Sequence, residues 1–211
     1  MKKSILTVLF ALCSTIGFAQ VSFQVKAGVG TSNFYGENVE SDTRIAYKVG
    51  VGMNYELNRT WVFQPSLFFS QKGTKYSSGY EGTVVDADAD VKINQLYLEL
   101  PINVQFRFNL ADNTNLVIAT GPYLACGVGG KTKFDGGASI GGITVNGGDK
   151  VNTFGSDGLD YNRFDAGWNI GLGVEFGKIL VGLDTQLGFC KVMDGNAPHN
   201  ASIGITLGYK F

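Results

Sequence analysis

Apolar and polar residues alternate without a break over the last eleven positions of this chain. Ala201, Ile203, Ile205, Leu207, Tyr209 and Phe211 are set against Ser202, Gly204, Thr206, Gly208 and Lys210. A period of two places every apolar side chain on one face of a strand. The same pattern recurs upstream. Residues 21–30 alternate Val21, Phe23, Val25, Ala27 and Val29 with Ser22, Gln24, Lys26 and two glycines, and residues 45–57 alternate Ile45 through Leu57 with Lys48, Gly50, Gly52, Asn54 and Glu56. Residues 61–69 carry the next apolar face, opposite Gln64, Ser66, Ser70 and Lys72. Residues 96–106 set Leu96, Leu98, Leu100, Ile102, Val104 and Phe106 against Tyr97, Glu99, Asn103, Gln105 and Arg107. Further strands are read over residues 116–128, 164–176 and 179–189, and the terminal segment is the eighth.

The connections alternate as well. Asn58-Arg59, residues 109–115 and Gly177-Lys178 make short turns, whereas residues 31–43, 73–90, 129–160 and 190–200 are long and rich in Gly, Asp, Ser and Asn. Short turns on one rim and long loops on the other is the pattern of transmembrane barrels, with turns periplasmic and loops outside. Backbone amides left unpaired in hydrocarbon cost several kcal/mol each, so the first and eighth strands must pair and close the sheet. The expected fold is all-β: an eight-stranded, antiparallel, up-and-down transmembrane barrel with both termini periplasmic. Pro65, Pro101 and Pro122 lie inside strands and each removes a ladder donor, so bulges or loosened pairing are expected there. Tyr55, Trp61, Phe106, Phe176, Tyr209 and Phe211 are expected in the periplasmic aromatic girdle, and Tyr47, Phe69, Phe164, Trp168 and Phe189 toward the outer one.

The beginning of the chain fits this placement. Lys2 and Lys3, an apolar core over residues 5–16 and the small-x-small Gly17-Phe18-Ala19 read as a cleaved export signal over residues 1–19. Residues 20–211 then form one barrel domain. Cys13 lacks the small residue expected directly before a lipidated cysteine. Without Lys2 and Lys3 the chain has 15 basic and 18 acidic side chains, a balance with no electrostatic footprint for nucleic acid. Cys126 and Cys190 fall on non-adjacent strands with opposite facing, so no bridge is expected.

The stretches PSLFFSQKGTKY (from Pro65), LYLELPINVQFRF (from Leu96), GPYLACGVGGK (from Gly121), RFDAGWNIGLGVEF (from Arg163) and the GYKF ending resemble the PorT-like outer-membrane β-barrel proteins of Bacteroidetes. The resemblance spans nearly all of the mature chain and includes the strand prolines. It implies a barrel and a cell-envelope setting, with a role in protein secretion for the name-giving member.

Inward parity places Lys26, Lys48, Glu56, Lys72, Glu99, Arg107, Arg163, Asp165, Glu175, Asp184 and Lys210 in the lumen or at its mouths, together with Gln64, Asn103, Gln105, Asn169 and Gln186. Eight strands leave room only for side chains, so these charges should pair into a plug. ACGVGGKT, starting at Ala125, satisfies a relaxed phosphate-loop pattern, but no helix is expected after it. Asp86, Asp88 and Asp90 could face one cation from an extended loop, though without the distal Glu of a dedicated calcium site. His199 is the single histidine, and acyl hydrolysis would need it near a nucleophile such as Ser202 with a third residue orienting the ring. Asn58 and Asn200 open chance glycosylation sequons. No catalytic, cofactor-binding or metal residues are assigned, and no cofactor.

The function expected is a non-enzymatic integral outer-membrane barrel whose long loops, chiefly residues 129–160, contact surface or envelope proteins. The alternatives are a narrow transport or secretion-accessory barrel, then an outer-membrane enzyme, then a soluble periplasmic barrel. Expected partners are outer-membrane lipid, the barrel-assembly machinery through the strand ending in Phe211, and envelope or secretion proteins, with no nucleic acid.

Overall fold

A computed structural model describes residues 20–36, 41–76, 80–81, 85–87, 90–135, 138–140, 143–145, 150–155, 158–195 and 197–211. The export signal expected over residues 1–19 lies outside the described residues. Eight long strands form the wall: β1 (Val21–Tyr35), β2 (Arg44–Glu56), β3 (Trp61–Tyr76), β4 (Val91–Ala111), β5 (Thr114–Gly129), β6 (Phe164–Phe176), β7 (Ile179–Lys191) and β8 (His199–Lys210). Each pairs antiparallel with the next. Pairing of β1 with β8, from Gln24↔Lys210 to Tyr35↔His199, closes the ring. All eight strands expected from the alternation are present. Among the described residues no helix is long and apolar enough to cross a membrane.

The alternation alone could not say which face points out. Ile45 is 70% exposed and Phe23 61%, whereas Asn54 and Gln64 on the opposite parity are 1% exposed. An apolar exterior around a polar interior is the inverse of a soluble barrel and matches hydrocarbon as solvent. The two rims carry exposed rings. Trp61, Phe108, Phe176, Tyr209 and Phe211 ring the turn rim, where Trp61 meets Phe106 edge-on at 4.6 Å and Tyr209 meets Phe211 at 5.3 Å. Tyr47, Phe69, Phe164, Trp168 and Phe189 are exposed on the outer face toward the loop rim.

Tight turns set the first rim. Asn58 Oδ1 accepts hydrogen bonds from the backbone N–H groups of Thr60 and Trp61 at 2.9 and 2.8 Å, which gives this sequon asparagine a structural role in the turn. Asn113 and Gly177 adopt positive φ, 62° and 58°, and the Gly177 N–H donates to the Asn113 carbonyl across the two neighbouring turns.

Of the bulges or loosened pairing expected at Pro65, Pro101 and Pro122, the structure shows loosened pairing and no bulge. The β3–β4 register holds its frame from Pro65↔Ile102 to Phe68↔Glu99, and the β4–β5 register from Pro101↔Tyr123 to Val104↔Thr120, with pairs missing between. The prolines therefore loosen the ladder without shifting it. The β4–β5 register shifts instead between Leu96↔Gly129 and Tyr97↔Gly127, which makes Val128 the extra residue.

The structure corrects the sequence reading at the long loops. β1 and β3 run on to Tyr35 and Tyr76, and β4 starts at Val91. Within the expected loop 129–160, Lys131–Phe134 pairs with the start of β4, Lys150–Phe154 pairs with Lys131–Phe134, and Gly158–Tyr161 lies beside Lys150–Phe154. A separate four-stranded sheet joins two loops: Tyr80–Glu81, Val85–Ala87, Ala138–Ile140 and Ile143–Val145. These strands are too short and glycine-rich to show a period of their own, and partners distant in sequence hold them.

A closed barrel should resist detergent unfolding until heated. Unboiled protein is expected to migrate differently from boiled protein on a denaturing gel, and to stay in the membrane pellet through an alkaline wash; co-migration of the two samples together with release by alkali would contradict closure.

Candidate functional site: a sealed polar lumen and its cap

The lumen is built from unequal walls. Inward positions on β1, β2, β6, β7 and β8 include Gly28, Gly50, Gly52, Gly171, Gly173, Gly182 and Gly208, whereas β3–β5 send in Gln64, Phe68, Glu99, Gln105, Arg107 and Tyr123. Large side chains from one wall fill space left by missing side chains on the other. A Cβ on Gly50 would lie 2.6 Å from the Phe68 ring, and one on Gly52 2.6 Å from Ser66 Oγ.

Charges fill this space in layers. Toward the turn rim, Arg107 reaches Glu56 at 2.9 Å and Glu175 at 3.3 Å, and Lys210 shares Glu175 at 3.3 Å. Above them Lys48 pairs with Asp184 at 3.3 Å, and Asp184 also accepts from the Thr206 hydroxyl. Lys26 donates to Gln64 Oε1 at 3.0 Å, and Gln64 and Gln24 both donate to Asn54 Oδ1. Higher still, Lys72 meets Glu99 at 2.6 Å, both side chains being almost wholly buried. Gln186 bridges Glu99 Oε2 and Asn169 Oδ1 at 3.2 and 2.8 Å, and Asn169 donates to Asn103. The uppermost carboxylate of these layers is Asp165, which accepts from Tyr123 Oη at 3.0 Å and from Asn200 Nδ2 at 3.3 Å. Lys26, Lys48, Lys72, Arg107 and Lys210 thus balance Glu56, Glu99, Asp165, Glu175 and Asp184. Such pairing offsets desolvation that isolated buried charges could not survive. Two of the cavities between the layers are about 20 Å³ each, room for about one water apiece.

Above Asp165 the interior turns apolar. Phe34, Tyr76, Val91, Ile93, Tyr97, Phe134, Phe154, Leu159, Tyr161, Val192 and Met193 form a buried cluster across the loop-rim mouth. Phe154 and Leu159 come from the expected surface loop. Phe154 packs edge-on against Tyr97 at 5.5 Å, with the Arg163 guanidinium 5.7 Å from its ring centroid, and Arg163 Nη1 donates to the Gly127 carbonyl at 2.9 Å. The ring sits where Gly127 lacks a side chain, since a Cβ there would lie 2.6 Å from it. Sequence reasoning missed this cap. Its signal was the set of large apolar residues inside the expected loops, Phe34, Tyr76, Phe134, Phe154, Leu159 and Met193.

A closed eight-stranded wall, an apolar exterior and a charge-filled interior coincide with a family match over most of the chain: the model described as "Outer membrane protein beta-barrel domain" matches residues 14–194. The chain belongs to this outer-membrane β-barrel family. The protein is accordingly an outer-membrane barrel. No curated protein sequence matches it. Similar solved structures include Ail, the attachment invasion locus protein of Yersinia pestis (15% identity, 91% of this chain and 99% of that one, TM-score 0.43). The outer membrane enzyme PagL is also similar (14%, 88% and 98%, 0.46), as is the outer membrane protein OprG from Pseudomonas aeruginosa (11%, 90% and 95%, 0.44).

The remaining sequence candidates of this outer-membrane barrel are not brought together. The His199 ring lies 5.4 Å from Tyr35, while Ser202 Oγ donates to Gln186. Asn200 is buried, hydrogen-bonded to Asp165 and Tyr97. The ACGVGGKT run continues β5 through Gly130 into Lys131–Phe134, a strand where a phosphate loop would begin a helix. Asp88 lies outside the described residues, Asp86 pairs in register with Ser139, and the Asp90 carboxylate is 2.9 Å from Lys75. This contact raises the Lys75 ammonium above its ordinary pKa. Cys126 and Cys190 are free thiols. Among the described residues no three metal-ligating side chains converge.

Lys72→Met should leave Glu99 buried without its cation and destabilise the barrel by about 3–5 kcal/mol, whereas Lys72→Met with Glu99→Gln should recover most of that loss. Denaturant titration followed by Trp fluorescence measures both. Gly127→Val should displace Phe154 from its seat, seen as faster proteolytic nicking within residues 150–161 in a barrel that keeps its heat-dependent migration.

Proposed function

We propose that this protein is a non-enzymatic, non-conducting barrel of the PorT-like kind, with its turn rim and both chain ends in the periplasm and its loop rim outside, and that it works by binding surface or envelope proteins there. The observation that carries the reading is the four-stranded sheet joining residues 80–87 to residues 138–145. Its terminal strands, Tyr80–Glu81 and Ile143–Val145, pair on one side only among the described residues. Such edges accept an added strand through backbone hydrogen bonds, a common mode of protein recognition. The paired charges and the apolar cap support a plug over a conduit, because a transport path needs connected water and two of the lumen cavities hold about one water each. The aromatic end of β8, Tyr209 and Phe211, is the segment offered to the barrel-assembly machinery.

Purified protein in a planar bilayer should give no sustained conductance; steps that change with Arg107→Gln or Glu99→Gln would move the transport alternative ahead. In a Cys126→Ser/Cys190→Ser background, an impermeant maleimide added to intact cells should label Lys133→Cys and spare Asn58→Cys, and the reverse would invert the topology. Deleting residues 138–145 should abolish partners captured by crosslinking in the native envelope while heat-dependent migration persists.

A further inference from the structure

The sheet that rises above the loop rim carries a row of lysines that the linear sequence conceals. Lys75 on β3 is the register partner of Lys92 on β4, Lys92 of Lys133, and Lys133 of Lys150. Directly opposed residues share a face with Cβ atoms about 5 Å apart, and like charges so placed repel. The face is the outer one. Thr132, Phe134 and Thr153 point inward and are buried, and the register irregularity between Asn152 and Phe154 turns Phe154 inward as well, whereas Lys131, Lys133 and Lys150 are exposed. Two carboxylates relieve one end of the row: Asp90 lies 2.9 Å from Lys75, and Asp135 lies 2.7 Å from Lys92. Lys131, Lys133 and Lys150 have no ion-pair partner among the described residues. Lys131 stands two residues from Lys133 on the same strand and opposite Asn152, so three ammonium groups and an amide converge on one patch.

The position of the patch selects its ligand. Val128, 51% exposed on the lipid-facing surface, precedes Lys131 by three residues, about 10 Å along a strand. The bulge at Val128 resets parity, which keeps Lys131 and Lys133 on the same outer side as the apolar band below them. A cationic patch directly above a hydrocarbon-facing surface lies at the depth of lipid headgroups, where anionic phosphates would relieve the repulsion between lysines. We propose that Lys131, Lys133 and Lys150 form a binding site for the phosphate groups of outer-leaflet lipid. The assignment to that leaflet rests on the loop rim facing outside; the phosphate chemistry does not.

The test uses the full mature protein in detergent, with phosphorylated lipid A and its dephosphorylated form as probes, and measures the lipid bound per barrel as a function of lipid concentration. Wild-type protein should prefer the phosphorylated form. Lys131→Gln/Lys133→Gln/Lys150→Gln should weaken that binding about a hundredfold, the product of roughly fivefold for each lysine at an anionic surface, and Lys178→Gln on the turn rim should leave it unchanged. Heat-dependent migration of the triple variant reports that it is folded. Equal binding of the two lipids, or undiminished binding by the folded triple variant, would overturn the site. Displacement of the lipid by millimolar inorganic phosphate would overturn the lipid as source in favour of a free anion. Persistent binding alongside labelling of Asn58→Cys rather than Lys133→Cys from outside would overturn the leaflet assignment and leave the phosphate site standing.

Discussion

Every backbone amide that lies in hydrocarbon must find its partner within the protein, and this constraint organises the whole molecule. It is met by pairing β1 with β8, which leaves no open edge at membrane depth. Closure in turn fixes an inside and an outside, and the two-residue period then sorts all side chains between lipid and lumen. The strand prolines are tolerated because the neighbouring pairs hold the frame across them.

What the wall encloses follows from its diameter. Eight strands leave a lumen narrow enough that a phenylalanine from β3 needs a glycine on β2 opposite it, as Phe68 and Gly50 illustrate. The charged residues have to share this space, and they do so through ion pairs and amide or hydroxyl hydrogen bonds, with Lys72 and Glu99 the most deeply buried pair. The interior is thus a second core, polar where most cores are apolar, closed at the loop rim by the cluster around Phe154 and Tyr97.

The strands above the loop rim add a part that the membrane does not demand. Glycines at 73 and 130, both with φ of 147°, flank β4 where the barrel gives way to this extension, and a Cβ on either would strike a β4 carbonyl at about 2 Å. Close approach there lets Lys131–Phe134 and Lys150–Phe154 continue the sheet. One face of the continuation supplies Phe154 to the cap, and the other presents the lysines.

The number of strands, their order and the two kinds of rim were legible because alternation is a local signal, repeated over segments long enough to count. Membrane placement was expected from the residues read as an export signal together with the aromatic Phe211, and the family match supports the placement itself. A period of two reads the same from either side, so the outward direction of the apolar face was inferred from the charged residues on the alternate face and from Phe211, and the closed sheet agrees. The cap and the lysine row were hidden. Phe154 meets Gly127 and Tyr97, and Lys75, Lys92, Lys133 and Lys150 stand opposite one another in succession, through pairings between separate segments of the chain. Register is a tertiary quantity: a one-residue slip would send each of those side chains to the opposite face, so alternation could assign strands while the folded sheet alone decided which residues stand together.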